Sequence, residues 1–183
     1  MQVHSNWAAT SEDARFKADM QAFAMKGETT NYAIERASEL LFKVQDETTG
    51  LILNAEILRA LTRESQSNME GHLAYLQEIR ARINAIWDRT FDLHRISANT
   101  LAWQRDTIAE LTTRGAQVAA STQAAIDSLS ETGESPFKPE YRRHVSMLAD
   151  ASQKIRETMT MFFDRYMMQQ KSRRQAALVL ATE

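Results

Sequence analysis

From Met1 to Ser135 the chain contains no proline, and through most of that length its apolar residues recur in steps of four and three. No pyrrolidine ring interrupts a helical hydrogen-bond ladder there. Steps of three and four hold side chains on one face of a 3.6-residue helix. The row reads Leu51, Ala55, Leu58, Thr62, Ser65, Met69, His72, Leu76, Ile79, Ile83, Ile86, Thr90 and Leu93. Two steps of four follow, through Ser97 to Leu101, and the row resumes as Gln104, Ile108, Leu111, Gly115, Val118, Thr122, Ala125 and Leu129. Five glycines and two prolines in 183 residues are too few for the frequent turns of a β-rich fold, so the chain reads as all-α.

The order of segments follows from where the breakers fall. Residues 1–28 read as a polar arm with Trp7 and a short helix. Thr10 and Asp13 have capping spacing there, Phe16, Met20 and Phe23 share a face, and Gly27 ends it. Three large apolar residues on so short a helix require a surface to dock on. Residues 29–129 read as a long helical segment, with kinks predicted near 50, 71, 97–100 and 115. Gly50 follows two threonines, and Gly71 and Gly115 are isolated glycines inside a helical pattern. The doubled four-step at Ser97 is a stutter, which unwinds a coiled coil locally. Unbroken, the 79 residues from Leu51 to Leu129 would make a rod on the order of 120 Å.

Residues 130–138 form the clearest loop, with Ser, Thr, Gly and Pro136. Pro139 fits the first turn of the last helix, 139–181, where its missing N–H costs nothing. That helix has the most regular row: Tyr141, Val145, Leu148, Ser152, Ile155, Met159, Phe162, Tyr166, Gln169, Arg173, Ala176 and Leu180. The expected fold is a single-domain elongated helical bundle or coiled coil. Its spine is a long antiparallel hairpin of about 80–129 against 139–181. The flanking Leu73, Trp87, His94, Leu101 and Ile108 widen the stripe, which suits three or more packed helices. Polar seam residues (Ser65, His72, Ser97, Gln104, Thr122) read as devices that fix register and oligomer state.

Charge and composition exclude several functions. The formal net charge of −2 rules out a globally basic nucleic-acid binder, and nucleic acid is disfavoured as a partner. Residues 1–135 hold 13 basic against 19 acidic groups, a net of −6; residues 136–183 hold 9 against 5, a net of +4. Opposite signs favour pairing of the two segments, within a chain or between copies. The absence of cysteine removes disulfides, thiol nucleophiles and Cys-ligated metals. No apolar run reaches transmembrane length and no leader pattern is visible. The default expectation is a cytoplasmic protein, or an exported one if a leader was removed.

No catalytic constellation emerges. None of His4, His72, His94 and His144 has an acid three residues before it, and none pairs with another at His-x-x-x-His spacing. Asp88 and Asp92 read as a solvated charged face, and Glu140 with His144 as a helix-surface pair. No two glycines lie within 17 residues, so there is no phosphate-cradling loop. The expectation is a protein that is not an enzyme, with no cofactor, metal or small-molecule substrate.

The distinctive patch lies in the last helix. Met159, Phe162, Phe163, Tyr166 and Met167 fill an arc of about 140°, and Met161 and Met168 form a second row. Lys171, Arg173 and Arg174 follow. Methionine-rich faces adapt to varied partners, so these ten residues are the candidate partner-binding set. The expected function is structural: assembly through self-association or a helical protein partner. The alternative is a lipid surface, met by Met and Phe with the basic residues on the headgroups. Phe162→Asp separates the two at this level: assembly predicts a broken oligomer or fold, and lipid binding predicts an intact fold that no longer binds vesicles.

Overall fold

The computed structural model describes residues 29–63, 68–130, 136 and 138–180. The predicted N-terminal helix, the seam position Ser65 and most of the 130–138 loop lie outside the described residues. Four α-helices account for almost everything described: α1 (Thr29–Leu61), α2 (Met69–Ile96), α3 (Ala102–Ser130) and α4 (Pro139–Leu180), with one 3-10 turn at Ser97–Asn99. Among the described residues there is no strand.

Each helix packs on its neighbours in sequence, and α4 closes back on α1, which makes a four-helix ring around one core. The α1–α4 pairing is antiparallel. Arg59 lies by Asp150, Glu56 by Gln153 and Phe42 by Phe162, so rising numbers on one helix meet falling numbers on the other. The α3–α4 pairing belongs to the expected spine, and the break at 97–101 confines its first arm to Ala102–Ser130.

The stretch from Leu51 to Leu129 is therefore three helices rather than one rod. One reversal falls at the stutter. Thr100 is extended, its hydroxyl donates to the Ser97 carbonyl at 2.8 Å, and the α3 ladder starts again from the Leu101 carbonyl. The other reversal, after Leu61, falls where the four-three pattern runs on without a mark. Asn68 caps the new helix by accepting the Gly71 N–H at 2.8 Å. Gly71 and Gly115 sit inside helices, and α1 runs unbroken through Gly50.

Two of these glycines have a packing reason. The Arg82 guanidinium lies across Gly50 where a Cβ would collide with it, and reaches Glu47 at 3.3 Å. The Trp87 ring rests on Gly115, so close that a Cβ there would sit 3.3 Å from it. Thr48 and Thr49, poor helix formers, donate their hydroxyls to the carbonyls of Val44 and Gln45 one turn back.

The core is the predicted rows. Leu51, Leu58, Leu76, Ile79, Ile86, Leu93, Ile108, Leu111, Val118, Val145, Leu148 and Ile155 are fully buried. At ~1.5–3 kcal/mol for each large apolar side chain taken from water, these rows dominate the stability of the fold. The polar seam residues divide into two kinds. Thr90, Thr122 and Ser152 donate to the carbonyl four residues back, each at 2.8 Å, and need no partner helix. Among the described seam residues, Gln104 and His72 reach across the core, at opposite ends of the bundle.

Gln104 donates to the Ile34 carbonyl and to Ser38 Oγ, both at 3.0 Å, and accepts the Leu101 N–H at 3.0 Å. It thus caps α3 and ties that helix to α1. Gln104→Leu leaves those groups short of a buried partner. It is expected to cost about 1–3 kcal/mol, read as a lower urea midpoint at unchanged slope.

Candidate interaction surface

The α4 row leaves the core part-way along the helix. Met159 and Phe162 are buried, Tyr166 is half-buried, and Arg173, Ala176 and Leu180 are exposed. All ten residues from Lys171 to Leu180 are exposed. The reason is length: α4 spans 42 residues and α3 only 29. Trp103, in the first turn of α3, stacks on Phe162 at 5.7 Å. Beyond that level α4 keeps α1 as its described neighbour, through a groove lined by Ile34, Glu35, Tyr166, Gln169 and Arg173.

The ten predicted partner-binding residues fall into three groups. Met159 and Phe162 are core. Phe42, Trp103 and Tyr166 surround Phe162, with ring centroids 5.4, 5.7 and 6.2 Å away. Phe163 and Tyr166 form the shoulder of this cluster, both edge-on to Phe42, and Phe163 is 46% exposed. Met161, Met167 and Met168 are 53%, 52% and 67% exposed, and Lys171, Arg173 and Arg174 are exposed with them. Because Phe162 is buried, Phe162→Asp reports on the core and separates neither functional reading.

The sequence reading did not single out Phe42, which organises the aromatic cluster from α1. It also passed over Leu53 and Phe91, exposed at 60% and 67%. Phe42 falls beside the seam of α1, where its bulk was the available signal.

Other polar contacts join the helices or cover their surfaces. Glu56 accepts from Gln153 at 2.9 Å and from Arg59 at 2.7 Å. These two donors, Gln153 foremost, hold its carboxyl below the ordinary range. Arg59 also reaches Asp150 at 3.0 Å, so this cluster clips α1 to α4. Lys43 and then Arg36 lower Glu39 in the same way on the α1 surface. His94 Nε2 and Thr112 Oγ1 share a hydrogen bond of 2.8 Å, and the Thr112 hydroxyl lies at the same distance from the Ile108 carbonyl.

Among the described residues no group of three or more His, Asp or Glu is placed to hold a metal ion. No described helix is long and apolar enough to cross a membrane.

Comparison with protein-family models, with curated proteins and with solved structures finds no match to this chain.

Proposed function

We propose that this chain is a non-enzymatic assembly protein that associates with further copies of itself through the outer flank of α4. The observation behind this reading is the division of that helix. Its inner row, ending at Phe162, closes the core within one chain. Met161 and Met168, seven residues apart and hence on one outer row, stand 53% and 67% exposed. A methionine side chain taken from water contributes ~1.5–3 kcal/mol, and methionine repacks to fit an opposing helix. Two α4 flanks meeting about a twofold axis would bury each row against its own copy.

Light scattering in line with size exclusion, over a hundredfold range of concentration, tests this. The wild-type mass is expected to rise with concentration. The double substitution Met161→Asp with Met168→Asp is expected to hold the mass at that of one chain. Both sites are exposed, so its unfolding free energy should stay within about 1 kcal/mol of wild type. A wild-type mass of one chain at every concentration defeats the proposal.

The exposed terminal turns favour a second reading, a lipid surface. Lys171, Arg173 and Arg174 precede Leu178, Val179 and Leu180, which are 67%, 60% and 74% exposed. A monomeric chain that floats with anionic vesicles, and loses them when the three basic residues become glutamine, would replace assembly by lipid attachment.

A further inference from the structure

We infer that two copies of this chain pair through α4 in parallel and in register, about a twofold axis that runs along the helix. The pairing rests on self-association through this flank and fixes its direction, which exposure of the methionines leaves open.

The outer face of α4 is divided by sign. At 100° per residue, Met168 lies about 20° to one side of Met161. On that same side Asp150, Glu157 and Asp164 follow at steps of seven, about 20°, 40° and 60° round. On the other side lie Lys154, Arg165 and Met147, about 20°, 40° and 40° round. All eight side chains are exposed, Met147 by 50%. The acid row is the edge nearer α1. Asp150 reaches Arg59 on that helix at 3.0 Å, and Gln153, about 60° further round, reaches Glu56. The basic row is the far edge, beside the buried Ala151 and Thr158.

These charges are largely unspent within the chain. Asp150 keeps 67% of its side-chain exposure beside Arg59. Lys154, Glu157, Asp164 and Arg165 enter no ion pair among the described residues.

Symmetry then selects the direction. A twofold along the helix sets the near edge of one α4 against the far edge of its copy, so acids meet bases. A twofold across the helix makes the pair antiparallel and sets near edge against near edge, so acids meet acids. In the parallel pair, at 1.5 Å per residue, Asp164 comes within ~1.5 Å of the level of the copy's Arg165. Lys154 falls between the levels of the copy's Asp150 and Glu157, ~6 and ~4.5 Å away along the axis. Met161 and Met168 lie closest to the twofold, and each meets its own copy. A row at steps of seven drifts about 20° per heptad on a straight helix, which a left-handed supercoil of the two helices takes up. The acid row changes sign at Lys171, seven residues after Asp164, so the match covers Asp150 to Met168.

The absence of native cysteine makes the test clean. Met161→Cys and Met168→Cys are made separately in the full chain, one of them isotopically labelled, and oxidised mildly alone and as a mixture. The measurement is made at a concentration where the wild-type mass exceeds one chain. Each variant is expected to link to its own kind, and at least about tenfold faster than the two link to each other. The parallel register holds unlike positions ~10.5 Å apart along the axis, too far for a disulfide. Mixed links that outpace like links, like links at only one of the two positions, or equal rates throughout would overturn the inference. Asp164→Asn supplies a second readout with a sign. It is expected to weaken the dimer about three- to tenfold by removing two ion pairs, whereas an antiparallel dimer would tighten as two facing acids lost their charge. A chain that stays a monomer at every concentration fails already in the mass measurement and takes this inference with it. A dimer with the wrong links, or one that Asp164→Asn tightens, overturns the direction alone.

Discussion

Phe162→Ala is expected to remove about 3–5 kcal/mol from the unfolding free energy, the usual cost of emptying a buried phenylalanine site. For a chain of this size that lowers the melting temperature by roughly 6–20 °C, read by circular dichroism. The size of the effect follows from the surroundings. Phe162 is 1% exposed, and its ring meets Phe42 edge-on at 5.4 Å with an interplanar angle of 72°. Trp103 and Tyr166 lie against its other sides. Three helices thus contribute to one cluster, and a cavity at its centre cannot close without moving α1, α3 or α4. Phe163→Ala, one residue on and 46% exposed, should cost about 1 kcal/mol or less. Two adjacent phenylalanines separated by several kcal/mol would establish that the aromatic cluster belongs to the core. Equal costs would mean that Phe162 is not packed as described.

How much of this fold was legible in the sequence depended on what periodicity can register. Every predicted seam position from Leu76 to Leu93 in α2, from Gln104 to Leu129 in α3 and from Tyr141 to Phe162 in α4 is buried, with Thr107, Ser121, Ala149, Ala151 and Thr158 buried beside those rows. The reversal after Leu61 was not legible. From Thr62 to Met69 is seven residues, which is two helical turns if the chain runs on, and the same step if it turns back and restarts in register. A loop of that length leaves the four-three pattern intact, so the pattern alone cannot reveal it. Asn68, an N-cap three residues before Gly71, was the local signal. The stutter at Ser97 did mark a true break, because two successive four-steps shift the apolar face. The glycines have a reason of another kind. Gly115 answers to the Trp87 ring on a neighbouring helix, which no local pattern encodes.

The candidate surface was legible only as a patch. Sequence spacing separated the row of Met161 and Met168 from the arc of Phe162, Phe163 and Met167. It could not tell which row meets a neighbour, since that depends on where α3 begins and where α4 outruns it. Burial at Phe162 and exposure at Met168 decide that question. The polar seam shows the same limit. His72 and Thr90 look alike as interruptions of an apolar row, yet Thr90 is satisfied by its own helix and His72 by a neighbouring one.

His72 gives the second large effect, a loss of stability on mild acidification. Its ring is fully buried at the α2–α4 end of the bundle, where Nδ1 and the Tyr141 hydroxyl share a hydrogen bond of 2.9 Å and the rings meet edge to face at 5.4 Å. Burial lowers the imidazole below its ordinary value of 6.5. The unfolded chain therefore takes up a proton near pH 6.5 while the folded chain does not. Stability from this site is complete above 6.5 and falls as the pH drops towards the depressed folded value, by at most ~1.4 kcal/mol for each pH unit. Carboxylates such as Glu56 contribute only lower down, below their ordinary value of 4.5, so the two windows separate. Tyr141 sets the other edge. Burial raises its hydroxyl above the ordinary 10, so its contribution is complete below 10 and is lost as the unfolded chain ionises at higher pH. Urea titrations between pH 7 and 5 are expected to show the midpoint falling for the wild-type chain and holding nearly level for His72→Gln, which starts lower but has no imidazole to protonate. A wild-type midpoint that does not move across that window would mean that His72 accepts its proton in place, and that this end of the bundle opens to water far more readily than its packing implies.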